Sequence, residues 1–98
     1  MFAVIYRWRI KPEFVESWSE ITEYLMKNFG ALGSRLHRGS DGLWYAYAQW
    51  KTSEERDFAF QNLPEMPVRE RMKQAIEESF PEIKLEIIAD FLILPEKI

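Results

Sequence analysis

The run Phe2-Ala3-Val4-Ile5-Tyr6-Arg7-Trp8-Arg9-Ile10 is β-branched and aromatic, a composition that predicts a strand. Past it the period lengthens. Phe14, Trp18, Ile21, Leu25 and Phe29 recur every three or four residues, which aligns them on one stripe of an amphipathic helix. Lys11-Pro12-Glu13 opens that helix, because Pro12 suits a first turn and Glu13 complements the dipole there. Gly30 closes it as a left-handed cap. Leu32 to Arg38 and Leu43 to Trp50 read as two more strands, joined by Gly39-Ser40-Asp41-Gly42, whose residues tolerate positive φ. Thr52 and Glu55 have the spacing of a capping box, so a second helix opens there. Pro64 and Pro67 interrupt it, since neither can donate a helical hydrogen bond. A second helical piece, with Val68, Met72, Ile76 and Phe80 in register, is expected to run to Pro81. Ile83 to Leu94 is then the last strand, closed by Pro95.

The order β-α-β-β-α-β predicts an α+β fold of ferredoxin-like type: an antiparallel sheet with both helices on one face, and a single domain over residues 1–98. Strand parity sorts the side chains into two sets. Phe2, Val4, Tyr6, Trp8, Leu32, Leu36, Trp44, Ala46, Ala48, Trp50, Ile83, Leu85, Ile87, Ala89 and Phe91 are consistently apolar and belong under the helices. The opposite set holds Ala3, Ile5, Arg7, Arg9, Arg35, His37, Leu43, Tyr45, Tyr47, Gln49, Ile88 and Leu92, which is neither a polar surface nor a core. Exposed apolar patches of that kind mark interaction sites. Two such sheets stacked face to face cover each other, so the pattern predicts a homodimer with a partly polar cavity between the sheets.

Composition narrows the function. The chain is 47% hydrophobic and 15% aromatic with 30% charge, which excludes disorder. A net charge of −3 argues against a general nucleic-acid binder. RNA-recognition modules share the topology and carry aromatics on the first and third strands, but the aromatics of Gly42–Trp50 do not register with theirs. With no cysteine and one histidine, thiolate chemistry is excluded and a metal site is not expected. No apolar run approaches the ~20 residues of a membrane span, and no leader-like segment precedes the first strand. The expected location is the cytoplasm, with no membrane and no nucleic acid among the partners.

A βαββαβ chain of this length, with Ala3-Val4-Ile5-Tyr6-Arg7-Trp8 first, Leu36-His37-Arg38 mid-chain and Tyr45-Ala46-Tyr47-Ala48-Gln49-Trp50-Lys51-Thr52-Ser53-Glu54-Glu55 after it, resembles the antibiotic biosynthesis monooxygenase-like domains. The resemblance spans essentially the whole chain and implies a dimeric α/β barrel. It implies for Trp50 a place in the site, as a tryptophan ending the third strand, whereas parity with Trp44 assigns that ring to the helix-side core. Oxygenases of the family pair that tryptophan with an asparagine on the first strand, and Phe2–Ile10 has none. Haem-degrading relatives carry a histidine on the second helix, and Ser53–Phe80 has none.

The candidate site is drawn from the second face. His37 suits a general base, with Tyr45 and Tyr47 as catalytic or wall residues. Arg7 and Arg35 could clamp an anionic or phenolate group, and Gln49 and Trp50 complete the substrate-binding set. The function expected is a cofactor-independent monooxygenase-like activity on a small hydrophobic or aromatic molecule. The alternatives are a non-catalytic dimeric ligand-binding or stress-response protein of the same fold and, more remotely, an RNA-recognition-type module.

Overall fold

A computed structural model describes residues 1–92. Its elements are β1 (Phe2–Ile10), α1 (Phe14–Phe29), β2 (Gly33–Arg38), β3 (Trp44–Trp50), α2 (Ser53–Asn62), α3 (Pro67–Ala75), β4 (Ile76–Ser79) and β5 (Ile83–Glu86). The sheet is antiparallel with order β2-β3-β1-β4, and β5 also pairs with β1. The α+β, ferredoxin-like arrangement expected from the pattern is the one found. The place of a single fourth strand is taken by two short ones: β4 lies against Trp8–Ile10 and β5 against Phe2–Ile5.

The local signals act as their chemistry dictates. Gly30 adopts φ 78° and its N–H reaches the Leu25 carbonyl, ending α1 as a left-handed cap. The Thr52 hydroxyl accepts the Glu55 N–H at 3.1 Å, which satisfies one orphan donor of α2. Between Asn62 and Pro67 the helix stops, and Pro67 begins α3 at a position that needs no donor. The Arg69 guanidinium holds the freed carbonyls of Leu63 and Pro64 at 3.0 and 2.9 Å. The hairpin turn differs from expectation in one respect. Gly42 has positive φ but Gly39 does not. Gly39 is required instead by close approach, since a Cβ there would stand 2.6 Å from the Tyr45 ring.

The end of the chain departs from the sequence reading in three ways. Ile76 and Phe80 do not continue a helix: α3 stops at Ala75, and Ile76–Ser79 pairs with the otherwise open edge of β1. The last strand is only Ile83–Glu86. Glu86 already faces Phe2, the first residue of β1; the Ile87 N–H makes one last bond to the Met1 carbonyl at 3.1 Å, and Ile88–Leu92 run on beyond the strand. Leu94 and Pro95 lie outside the described residues.

Third, the parity of this strand is inverted. Glu78 opposes Arg9 and Ile83 opposes Ile5, both on the second face, although an odd number of steps separates them. Pro81 offers no N–H to a ladder, so the strand breaks at Phe80–Glu82 and resumes one residue out of phase. Ile83 and Leu85 therefore lie on the second face and not beneath the helices, while Ile87, Ala89 and Phe91, expected beneath the helices, and Ile88 and Leu92, expected on the second face, belong to no strand.

The core sits between β1, β3 and the helices. Trp50, Phe14 and Val4 are its largest fully buried side chains. An aromatic chain runs through it: Tyr6 stacks on Trp8 at 5.9 Å, Phe14 meets Trp44 edge-on at 5.0 Å, and Phe60 lies 6.4 Å from Trp50. Burying a ring of Trp50's size contributes on the order of 4–5 kcal/mol from apolar area. No described helix is long and apolar enough to cross a membrane.

Candidate functional site

Between the sheet and the helices lies an apolar cavity of about 200 Å³. Its floor is the helix-facing side of β1 and β3, where Ala46 and Ala48 stand between the large rings of Trp44 and Trp50. Two methyl groups in a row of tryptophans leave space that the helices above do not fill. Trp18, Ile21, Thr22 and Leu25 of α1, Phe60 of α2 and Met72 of α3 close the walls. Among the described residues the lining holds no carboxylate, histidine, lysine or arginine.

The polar groups of this lining are few. Trp50 is 1% exposed and its indole N–H has no acceptor. Leaving such a donor unmet costs about 1–3 kcal/mol. Tyr6 brings the other large polar tip. Its hydroxyl accepts a hydrogen bond from Arg56 at 3.2 Å, and burial raises the phenol's pKa, partly offset by Arg56. Arg56 itself, only 4% exposed, forms a two-pronged pair with Glu82 at 2.8 Å on each prong. That bond raises the pKa of Arg56 and lowers that of Glu82. Glu82 reaches the helix side because the strand breaks at Phe80–Glu82.

The sequence-derived candidates lie elsewhere, with one exception. Cross-strand pairing joins Arg7 to Tyr45, Tyr45 to His37, Tyr47 to Arg35 and to Ile5, and Gln49 to Ala3. Arg7, Arg35, His37, Tyr45, Tyr47 and Gln49 thus share the second face, as parity predicted, and none of them lines the helix-side cavity. His37 and Arg35 are exposed, and the others are half-buried. His37 Nδ1 lies 3.2 Å from the Tyr45 carbonyl, and the Tyr45 hydroxyl donates to Asp41. That contact lowers the pKa of Asp41 and raises that of Tyr45. Gln49 donates to the Tyr47 hydroxyl at 3.1 Å. Arg7 stacks over Phe80 at 5.6 Å and donates to the Pro81 carbonyl at 3.3 Å, while its buried Nε has no partner.

Trp50 is the exception: of these residues it alone lines the cavity, on the helix side where its parity puts it. Its parity therefore puts it in the helix-side core and in the wall of this cavity at once. Sequence reasoning missed Tyr6, Arg56 and Glu82. The alanine pair facing the helices was the readable signal for the cavity. Nothing local marked Glu82 as the partner of a residue on α2.

A crystal structure of SnoaB, a cofactor-independent oxygenase from Streptomyces nogalater, superposes with a TM-score of 0.75 over 92% of this chain and 95% of that one, at 14% identity. The fold is that of the antibiotic biosynthesis monooxygenases. A crystal structure described as an antibiotic biosynthesis monooxygenase matches with a TM-score of 0.69 over 91% of this chain and all of its own, at 14% identity. A conserved protein from Methanosarcina mazei matches at 0.70 over 86% of this chain and 89% of its own, with 12% identity. No protein-family model matches the chain, and no curated protein does so significantly. At these identities the likeness is one of fold.

Proposed function

We propose that the protein binds a small hydrophobic, aromatic molecule in the helix-side cavity and oxygenates it without a cofactor. The observation that carries this reading is the apolar cavity itself, walled by the rings of Trp8, Trp18, Trp50 and Phe60 and by the half-buried Tyr6. Apolar bulk with a few placed polar groups is the usual make-up of a small-molecule site. The shared fold with a cofactor-independent oxygenase supports the chemistry. In that chemistry an electron-rich ring methylene, once deprotonated, gives its electrons to dioxygen. One oxygen atom becomes the new carbonyl and the other leaves as water. The protein's part is to orient the ring, exclude bulk water and meet the developing oxyanion with a donor. The expected result is dioxygen uptake with a hydroxyanthrone in step with quinone formation, lost when the cavity is filled by Ala48→Phe. Uptake unaffected by Ala48→Phe would overturn the assignment.

A second reading has its own observation. The lining offers no general base, which is how a binding protein without turnover would be built. It predicts a ligand-dependent rise in melting temperature with no dioxygen uptake. In both readings the second face, with Ile5, Ile83 and Leu85 among Arg7, Arg35, His37, Tyr45, Tyr47 and Gln49, joins a second copy of the chain.

A further inference from the structure

Tyr6 is held more firmly than a wall residue needs to be. Its ring stacks on Trp8 at 5.9 Å with planes 2° apart, and Phe60 covers its other neighbourhood at 6.3 Å. Its oxygen is fixed by Arg56 Nη1 at 3.2 Å. The guanidinium has no freedom of its own. Both Nη atoms bond to Glu82 at 2.8 Å, Nε bonds to Asp57 at 2.9 Å, and the plane lies over Phe60 at 5.3 Å and Phe2 at 5.7 Å.

This arrangement decides which way the phenol works. A guanidinium has donors only, so the Tyr6 oxygen must accept from it and cannot donate back. The hydroxyl proton is left to point elsewhere, and among the described residues it forms no hydrogen bond. A plain structural clamp would need the Arg56–Glu82 pair and no phenol. The phenol adds a half-buried donor whose oxygen is pinned, on a residue that lines an apolar cavity. The Tyr6 and Trp50 rings both pack against Phe60, at 6.3 and 6.4 Å, which fixes the phenol ring in the cavity wall.

We propose that Tyr6 is the hydrogen-bond donor through which the cavity recognises an acceptor oxygen on its ligand, and that Arg56, locked by Glu82, is its positioning residue. The proposal rests on reading the cavity as a ligand site. It adds the polar anchor of that site and the device that aims it.

A matched pair of probes separates recognition of oxygen from recognition of bulk: 1-tetralone, an aryl ketone, and tetralin, the hydrocarbon of the same skeleton. Binding is read by quenching of tryptophan fluorescence, since Trp8, Trp18 and Trp50 line the cavity. Tyr6→Phe should weaken 1-tetralone about three- to tenfold, the worth of one hydrogen bond, and leave tetralin unchanged. Arg56→Lys, which keeps the charge and loses the fork, should weaken 1-tetralone alone. Glu82→Gln should do the same and serves if Arg56→Lys does not fold. An unchanged 1-tetralone affinity in Tyr6→Phe overturns the donor role. Equal losses for both probes in Arg56→Lys or Glu82→Gln overturn the positioning role and leave a structural clamp. If the wild-type protein binds neither probe, the ligand-site reading fails and this proposal with it.

Discussion

Trp50 shows how one side chain can belong to the core and to the wall of a cavity together. Its ring is almost wholly buried against Phe60, yet its N–H is left without an acceptor. Truncation to alanine should cost about 3–5 kcal/mol in denaturant unfolding, through lost burial and the cavity left behind. Trp50→Phe should cost much less, because most of the ring's bulk stays and the unmet donor goes. Equal destabilisation by the two changes would mean that the N–H is not the feature that matters. His37 provides the contrast. It is exposed on the far side of the sheet, so His37→Ala should leave probe affinity in the helix-side cavity unchanged. A loss of turnover in that variant, with affinity intact, would put the proton transfer at the second face. The parity argument located His37, Tyr45 and Tyr47 on one face from sequence alone, because alternation survives along unbroken strands. What it did not reveal was the helix-side void, a matter of the alanines' small volume beneath particular helix residues.

At the scale of elements, the broken fourth strand organises the helix-side site. Pro81 ends β4, the phase slips by one residue, and Glu82 swings to Arg56 on α2. The first five elements were legible because each carries its own period and cap. The break was not, since Ile76 and Phe80 fit a helical register as well as an edge strand, and only the open edge of β1 decides between them. The Arg56–Glu82 pair makes this junction sensitive to acid. The folded pKa of Glu82 lies below its ordinary 4.5, so its contribution is fully present above 4.5 and is lost as pH falls through the lower folded value. Glu82→Gln should cost about 1–3 kcal/mol near neutral pH, and the gap from wild type should close on acidification below that range. A gap that persists unchanged to about pH 3 would refute the assignment. The Leu63–Met66 interruption is the other junction. It joins Phe60 and Met72, both cavity walls, and is tied back by Arg69. Amide exchange there should outpace that of α2 and α3, and Arg69→Ala should quicken it further. Uniform protection from Glu55 through Ser79 would overturn this expectation.

For the whole molecule, the second face is the surface without a cover, and the phase slip puts Ile83 and Leu85 on it in place of Ile88 and Leu92. Ile83 and Leu85 join Ile5 in rows that also hold Tyr47, Arg35 and Gln49. Beyond the strand, Ile88, Phe91 and Leu92 are 84%, 91% and 66% exposed, which is costly for a chain on its own in water. Helices cover one side of the sheet only, so a second copy meeting it face to face is the simplest cover, with the unpartnered Arg7 Nε and the Tyr45–Asp41 pair near the seam. An obligate pair of this kind buries ~2,000 Å² or more. Light scattering at micromolar concentration should return twice the chain mass of 11.8 kDa. Ile83→Lys would place an unpaired charge between the sheets and should shift the particle towards monomer or unfold it. Gln61→Lys, on the exposed end of α2 away from the sheet, should do neither. Since Ile83 lies opposite Ile5 and not under the helices, a monomeric Ile83→Lys variant that remains folded should keep its cavity and still bind 1-tetralone. A stable 11.8 kDa particle from the unmodified chain would leave this face without its partner and the barrel unformed.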